Sequence, residues 1–463
     1  MVLGGGTVEG LARVSHPPPR GLDPRFWAGK RVLLTGHTGF KGGWAALWLH
    51  RLGARVTGLA LPPEGLTLCG SAGIERLVFG HHADLRDPAA VADVVRACHP
   101  ELVLHLGAQA LVPTAHHHPV DTFATNLLGT VHLLEALRSV DGLRAVLIVT
   151  TDKVYLPAPD GTPHREADRL GGHEPYAASK AACEFATAAM ARTYLAPRGV
   201  AVATARGGNV IGGGDFAFGR LVPDAVRAAL AGVPLALRNP HATRPWQHVL
   251  DCLSGYLAYL AALAERDPVP AALNFGPSPA STPVTVATLA SAVQEALGAA
   301  ASWITDPAPH PPETHALALD STQARAVLGW RDRMSPRLAV EATADWYRAW
   351  ADGEPDMGAL TLRQIAAYEA LSCPNQDAGS ARRRCAIRWS TSAQRHSRMA
   401  SSPPNRRHAA WIVRILCMRG SASTACSCRS TPSCRRTTSS PTTRISPPTP
   451  RAGWHMRRAT PRR

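Results

Sequence analysis

Two pairs of residues in this sequence could move protons. Asp152 is followed directly by Lys153, and Tyr176 is followed four residues later by Lys180 in the run Tyr-Ala-Ala-Ser-Lys. On a helix, residues i and i+4 share a face, so the phenol and the ammonium can point into one site. A nearby ammonium favours the phenolate. A phenolate can take a proton from a hydroxyl while hydride leaves the adjacent carbon. Thr151 could share that hydroxyl. The plain alternatives are a surface helix pair for Tyr-x-x-x-Lys and a solvated strand end for Asp-Lys.

Such groups need elements to hold them. The run 145–151 is apolar and β-branched, as a buried strand should be, so Asp152 and Lys153 fall where a strand ends. In open α/β sheets, ligands bind at the carboxyl ends of strands. Further strands are expected at 31–34, 55–59, 102–106 and 200–205, and helices at 44–52, 89–98, 122–138 and 177–194. That alternation predicts an α/β fold, a Rossmann-type doubly wound parallel sheet. From residue 207 the chain is richer in Pro and Gly and reads as a smaller mixed region laid against the sheet, closing with a helix at 361–371. The organisation expected is an extension at 1–25, a dinucleotide-binding domain at 26–206, a substrate-binding region at 207–372 and a basic tail at 373–463.

Gly36, Gly39 and Gly42 lie between the first strand and the first helix. Glycines there permit a tight turn and close approach of a pyrophosphate to the helix N-terminus. An acid about 20 residues on would hold a ribose 2′-hydroxyl. The second strand instead ends Gly58-Leu59-Ala60-Leu61, so this rule does not choose between NAD and NADP. Asp84 is a candidate adenine contact or a helix cap.

The formal charge of +16 is misleading as a sign of nucleic-acid binding. Residues 373–463 hold 19 Arg, no Lys and one acid, Asp377, a net +18, which leaves −2 for the other 372 residues. The folded part therefore has no call for a polyanion. The tail lacks periodicity and is expected to be disordered. Its Arg-rich, Lys-free composition is what an out-of-frame reading of GC-rich DNA gives; a basic arm with Cys426, Cys428 and Cys434 as metal ligands is the alternative. Cys69, Cys98, Cys183 and Cys252 are scattered singly, as in a reducing compartment. No signal peptide or membrane span is read, so a cytoplasmic location is expected.

Together, TGHTGFKGGW, HLGAQALV, TNLLGT, TTDKVY, YAASK and GGNVIGGGDF resemble the extended short-chain dehydrogenase/reductase superfamily. Within it, GHTGFKGGW, the Asp-Lys dipeptide and RNPHATRPWQHVLD closely resemble CDP-glucose 4,6-dehydratases, over about residues 26–371. The resemblance implies NAD as cofactor, CDP-glucose as substrate and a homodimer through helices 122–138 and 177–194. It implies catalytic roles for Thr151, Asp152, Lys153, Tyr176 and Lys180. Tyr176 would accept the O4 proton as C4 is oxidised. Asp152 would be the acid for the departing C6 hydroxyl, and Lys153 the C5 base or the cation beside the enolate. Gly36, Thr38, Gly39, Phe40, Gly42, Asp84 and Leu85 would hold the cofactor. Gly107, Ala108 and Gln109 would line the nicotinamide cavity, with Asn126 positioning the catalytic lysine. Asn209 and Arg244 would meet the diphosphate and nucleotide; Arg220 and Arg238 are substrate contacts or surface salt bridges.

Two departures from the pattern stand out. Arg206-Gly207-Gly208-Asn209 replaces Arg-Ala-Gly-Asn, and Pro113-Thr114-Ala115-His116-His117-His118 replaces a basic, Ser/Tyr-containing segment. Neighbouring histidines on an extended loop point apart, so no metal is expected. The rival readings are another nucleotide-sugar 4,6-dehydratase or 4-epimerase on this scaffold, and an inactive NAD-binding protein with a basic arm.

Overall fold

A computed structural model describes residues 22–158, 161–278, 284–308 and 316–371. The readings made for residues 1–21 and for the tail lie outside the described residues. The centre is a seven-stranded, all-parallel sheet. Its strands are β1 (Arg31–Thr35), β2 (Arg55–Ala60), β3 (Phe79–His82), β4 (Leu102–His105), β5 (Ala145–Val149), β6 (Ala201–Gly207) and β7 (Ala272–Phe275). In space they run β7-β6-β5-β4-β1-β2-β3. The order reverses between β1 and β4, which is where such sheets leave a crevice at their carboxyl edge.

Side chains alternate across a strand, and both faces of this sheet are covered. Val32, Leu34, Leu102, Leu104, Ala145 and Leu147 point into one core, packed by Trp44 and Trp48 of helix α1 (Phe40–Arg51). Leu33, Val103, Val146 and Ile148 point the other way, onto Val91, Val94 and Val95 of helix α2 (Pro88–Cys98) and Leu133, Leu134 and Leu137 of helix α3 (Gly129–Leu137). Burying one such side chain contributes about 1.5–3 kcal/mol. That is why unbroken apolar runs, rather than alternating ones, mark these strands.

Two strands of this sheet were not expected. In β3 all four residues are exposed, so it carries no apolar signal. β7 is contributed by the region beyond residue 206, as is helix α5 (Val249–Glu265), which is buried nearly along its whole length. The helix expected at 122–138 is interrupted. Pro119–Phe123 leads into a π-helical turn at Ala124–Leu128 before α3. Helix α4 (Pro175–Met190) likewise ends in a π turn at Ala191–Leu195. The segment expected as an extended loop is instead a short helix, Val112–His117. Pro113 at its start supplies a preset φ and needs no N–H partner there. Among the described residues no helix is long and apolar enough to cross a membrane.

Candidate active site at the carboxyl edge of the sheet

The glycine loop is shaped by contact between backbones. Gly36 has φ +74°, and a Cβ there would lie 2.9 Å from Gly107 Cα. A Cβ on Gly42 would lie 2.0 Å from the Gly36 carbonyl oxygen. Gly39 opens α1 in an extended conformation, with no side chain capping the first-turn N–H groups. An anion could use those N–H groups together with the helix dipole. Thr38 Oγ1 donates to the Leu61 carbonyl at 3.0 Å, and the Phe40 ring lies against Gly212. Asp84 does not cap a helix. Asp87 caps α2, through Ala89 N–H and Ala90 N–H, while Asp84 accepts from the Arg86 guanidinium at 2.7 Å. Those hydrogen bonds hold the Asp84 carboxyl below its ordinary range. Leu85 is buried, and a Cβ on Gly107 would meet its Cδ1 at 2.8 Å.

The ends of β1 and β4 are joined by a buried polar chain. Thr35 Oγ1 accepts from Leu106 N–H and Gly107 N–H and lies 2.7 Å from His105 Nδ1. His105 Nε2 lies 3.0 Å from Thr130 Oγ1, which donates to the Asn126 carbonyl at 2.6 Å. Burial drives the His105 pKa down to about 3, so the ring is neutral. Asn126 sits in the π turn. Its Oδ1 accepts from Gln109 N–H at 2.8 Å, and its Nδ2 donates to the Gln109 carbonyl and to Ser179 Oγ. Asn126 therefore ties the loop after β4 to α4 through Ser179, one residue before the lysine it was expected to position. Ala108 and Gln109 are half-buried, and the Gln109 side chain bonds to Thr122 and Leu111.

Asp152–Val154 forms a single 3₁₀ turn after β5, capped by Thr151. Asp152 is 2% exposed. Its Oδ1 accepts from Thr151 Oγ1 at 2.9 Å, and its Oδ2 is buried without a partner. Lys153 is half-buried. Tyr176 and Lys180 share a face of α4, which Glu174 caps. Burial raises the Tyr176 phenol to about 12; the Thr151 hydroxyl and the Arg220 charge oppose that rise, and Asp152 adds to it. Lys180 Nζ donates to the Val149 carbonyl at 2.9 Å, and burial lowers its pKa. The Arg220 charge thus acts on the phenol in the same direction as the influence expected of Lys180. The arginine guanidinium reaches out from the loop before helix Leu221–Ala231 and is held by Asp215 at 2.8 Å.

Asn209 accepts from Gln247 N–H through its carbonyl, beside the pairing of Val210–Ile211 with Gln247–His248. Arg244 is buried, with its Nη1 on the Thr243 carbonyl. Arg238 lies near the Gly219 carbonyl at 3.4 Å. His116, His117 and His118 are exposed. Sequence reasoning missed Glu184, Tyr155 and Asn274, which lie behind the site. Only Glu184 carried a signal, being four residues past Lys180 and eight past Tyr176 on one helix.

The sequence profile of the GDP-mannose 4,6 dehydratase family matches residues 33–343. A CDP-glucose 4,6-dehydratase of Salmonella typhimurium is 38% identical over 354 residues, covering 75% of this chain and 98% of the relative. A dTDP-glucose 4,6-dehydratase of Xanthomonas campestris is 28% identical, over 72% of this chain and 98% of the relative. The crystal structure of a Thermus thermophilus UDP-glucose 4-epimerase in complex with NAD superposes with a TM-score of 0.61 at 28% identity, covering 69% of this chain and 99% of the other. A Bacillus anthracis dTDP-glucose 4,6-dehydratase in complex with NAD shares the fold at a TM-score of 0.59 and 19% identity, over 72% of this chain and 100% of the other. A buried carboxylate with a lysine beside it, opposite a Tyr-x-x-x-Lys helix and a glycine loop, is thus set in a chain that belongs to the GDP-mannose 4,6 dehydratase family.

Proposed function

We propose that this chain converts CDP-glucose to CDP-4-keto-6-deoxyglucose and water, with NAD as its cofactor. The observation that carries the reading is the buried, unpartnered Oδ2 of Asp152 beside Lys153, at the same sheet edge as Tyr176 and Lys180. A 4-epimerase has no need of that pair. The fit to a dinucleotide rests on positions 36, 42 and 107, where a Cβ would strike neighbouring atoms, and on the uncapped start of α1. Gly36, Thr38, Gly39, Phe40 and Gly42 would hold the pyrophosphate end, and Asp84 and Leu85 the adenine. Gly107, Ala108, Gln109, Asn126, Tyr176 and Lys180 would hold the nicotinamide end. When bound, NAD supplies a reversible two-electron acceptor, so oxidation at C4 and reduction at C6 cancel.

Tyr176 takes the O4 proton, with Thr151 holding the same oxygen. The 4-keto group acidifies the C5 proton, which Lys153 takes as the neutral amine; alternatively, as the ammonium, Lys153 stabilises the enolate while Asp152 takes that proton. Asp152 protonates the C6 hydroxyl as water leaves. Asn209 and Arg244 bind the diphosphate and nucleotide, and Arg220 and Arg238 contact the substrate; a planar guanidinium is suited to phosphate. We assign cofactor binding chiefly to residues 26–206 and sugar-nucleotide binding chiefly to 207–372. Val120, Leu128 and Phe185, exposed on the helices around α3 and α4, support a homodimer through that face. The free thiols of Cys69, Cys98, Cys183 and Cys252 support a cytoplasmic setting.

The test is to incubate the full chain and NAD separately with CDP-glucose and with dTDP-glucose, and to look for loss of one water by mass. Product from CDP-glucose and not from dTDP-glucose is expected. The reverse, or no product from either, overturns the reading.

A further inference from the structure

Behind the reacting groups lies a buried carboxylate that the chemistry above leaves unused. Glu184 sits on α4, one turn past Lys180 and two past Tyr176. Its side chain and that of Arg206 on β6 are each 5% exposed and pair at 2.9 Å. Oε1 accepts from Thr150 Oγ1 at 2.5 Å and from Arg206 Nε at 3.0 Å. Oε2 accepts from Thr204 Oγ1 at 2.7 Å and from Arg206 Nη2 at 2.9 Å. Arg206 Nη1 then donates to the Tyr155 hydroxyl at 2.8 Å, and that hydroxyl donates to Asn274 Oδ1 at 2.7 Å.

A buried ion pair is poor evidence of stabilisation, because desolvating both charges offsets their attraction. What distinguishes this one is where its arms end. Thr150 immediately precedes the Thr151-Asp152-Lys153 segment, and Tyr155 closes the 3₁₀ turn that contains Asp152 and Lys153. The two ends of the acid–base segment are thus hydrogen-bonded to one charge pair, and that pair is anchored on the helix that carries Tyr176 and Lys180. We propose that Glu184 and Arg206 are positioning residues. Through Thr150 and Tyr155 they clamp the segment bearing Asp152 and Lys153 at a set distance from the Tyr176–Lys180 face. This rests on the acid–base role given above to Asp152 and Lys153. The clamp acts through those residues, and displacements of about 1 Å at a reacting group can cost on the order of 10²-fold in rate.

Thr150→Val removes one arm and keeps the shape of the side chain and the ion pair; Thr150→Ser keeps the hydroxyl. Tyr155→Phe removes the other arm. Each is measured in the full chain, on whichever nucleotide sugar the wild type turns over, so failure of CDP-glucose as substrate overturns the functional reading and leaves this test standing. Thr150→Val and Tyr155→Phe are each expected to lower kcat about 10-fold with KM unchanged, while Thr150→Ser stays near wild type. In an Asp152→Asn background, followed by single turnover at high enzyme concentration, Thr150→Val should cost clearly less than in the wild type, since only Lys153 remains to be placed. Unchanged kcat in both Thr150→Val and Tyr155→Phe overturns the proposal. So does an equal loss from Thr150→Val with and without Asp152, which a merely structural role would give. Should Thr150→Val fail to fold, Tyr155→Phe with and without Asp152→Asn carries the same comparison.

Discussion

Around Gly36 and Gly42 the site is formed by backbone meeting backbone, within one turn and against Gly107 of the loop after β4. Around Asp152 it is formed by side chains reaching from β6, α4 and β7, with partners 34, 22 and 119 residues apart in sequence for the Thr150–Glu184, Arg206–Glu184 and Tyr155–Asn274 bonds. The first construction tolerates almost no added atom. The second depends on its hydrogen bonds. A site that binds a dinucleotide needs close approach; a site that moves protons needs aimed groups. Each region carries the kind of precision its proposed task demands.

The comparison can be broken most sharply at Asp152. Asp152→Asn keeps the shape and removes the acid, and turnover should fall about 10²–10⁴-fold with dinucleotide content unchanged; an active Asn variant would remove Asp152 from the chemistry. Gly42→Ala should do the opposite. Its methyl would meet the Gly36 carbonyl 2.0 Å away, so bound dinucleotide in the purified chain should drop by about 10-fold or more as the turn is pushed open, an effect in the range of about 1–3 kcal/mol for overpacking. Retained dinucleotide would show that the loop can relax.

Arg220 sharpens the contrast between binding and proton transfer. Its charge is one of the influences that oppose the rise of Tyr176 to about 12. Arg220→Met should move the rising alkaline limb of kcat/KM to higher pH as well as raising KM. A KM effect alone would confine Arg220 to substrate binding.

A further expected effect is on stability, away from both regions. Asp251 on α5 is buried and accepts from Arg333 N–H, Met334 N–H and the Tyr368 hydroxyl. Burial nevertheless lifts its pKa from 3.8 to about 7. An acid whose pKa is higher in the fold favours the folded state most at low pH. Below about pH 4 both states hold the proton. As pH rises toward 7 the unfolded chain ionises first and stability falls, levelling above 7, by up to a few kcal/mol. Unfolding titrations from pH 5 to 8 should show that slope in the wild type and a flatter line in Asp251→Asn.

What the sequence made legible follows from the same physics. Buried parallel strands announce themselves as apolar runs, and β1, β4, β5 and β6 were readable in that way. Glycine spacing and the i, i+4 Tyr–Lys pair are local and equally readable. β3 was not, because an exposed edge strand of Phe-Gly-His-His has no apolar run to bury. β7 was hidden because it is separated from its sheet neighbour by the whole of α5. A cap was the second reading of Asp84, because a carboxylate before a helix usually is one, yet Asp87, closer to Pro88, took that role. The Glu184 network was invisible for a different reason: no single residue in it is unusual, and only the fold brings its members together.

The strand order has a consequence for how the chain is made. β1 emerges from the ribosome first; β2 and β3 then add to one side of it, and β4 to β7 to the other, so every strand meets a neighbour that has already been synthesised. A sheet of this order can grow outward as translation proceeds, with no gap held open for a later strand. The last hydrogen bond of the clamp must wait for Asn274. The turn bearing Asp152 and Lys153 is therefore among the last parts of the candidate site to be completed, after the glycine loop and helix α4 have left the ribosome.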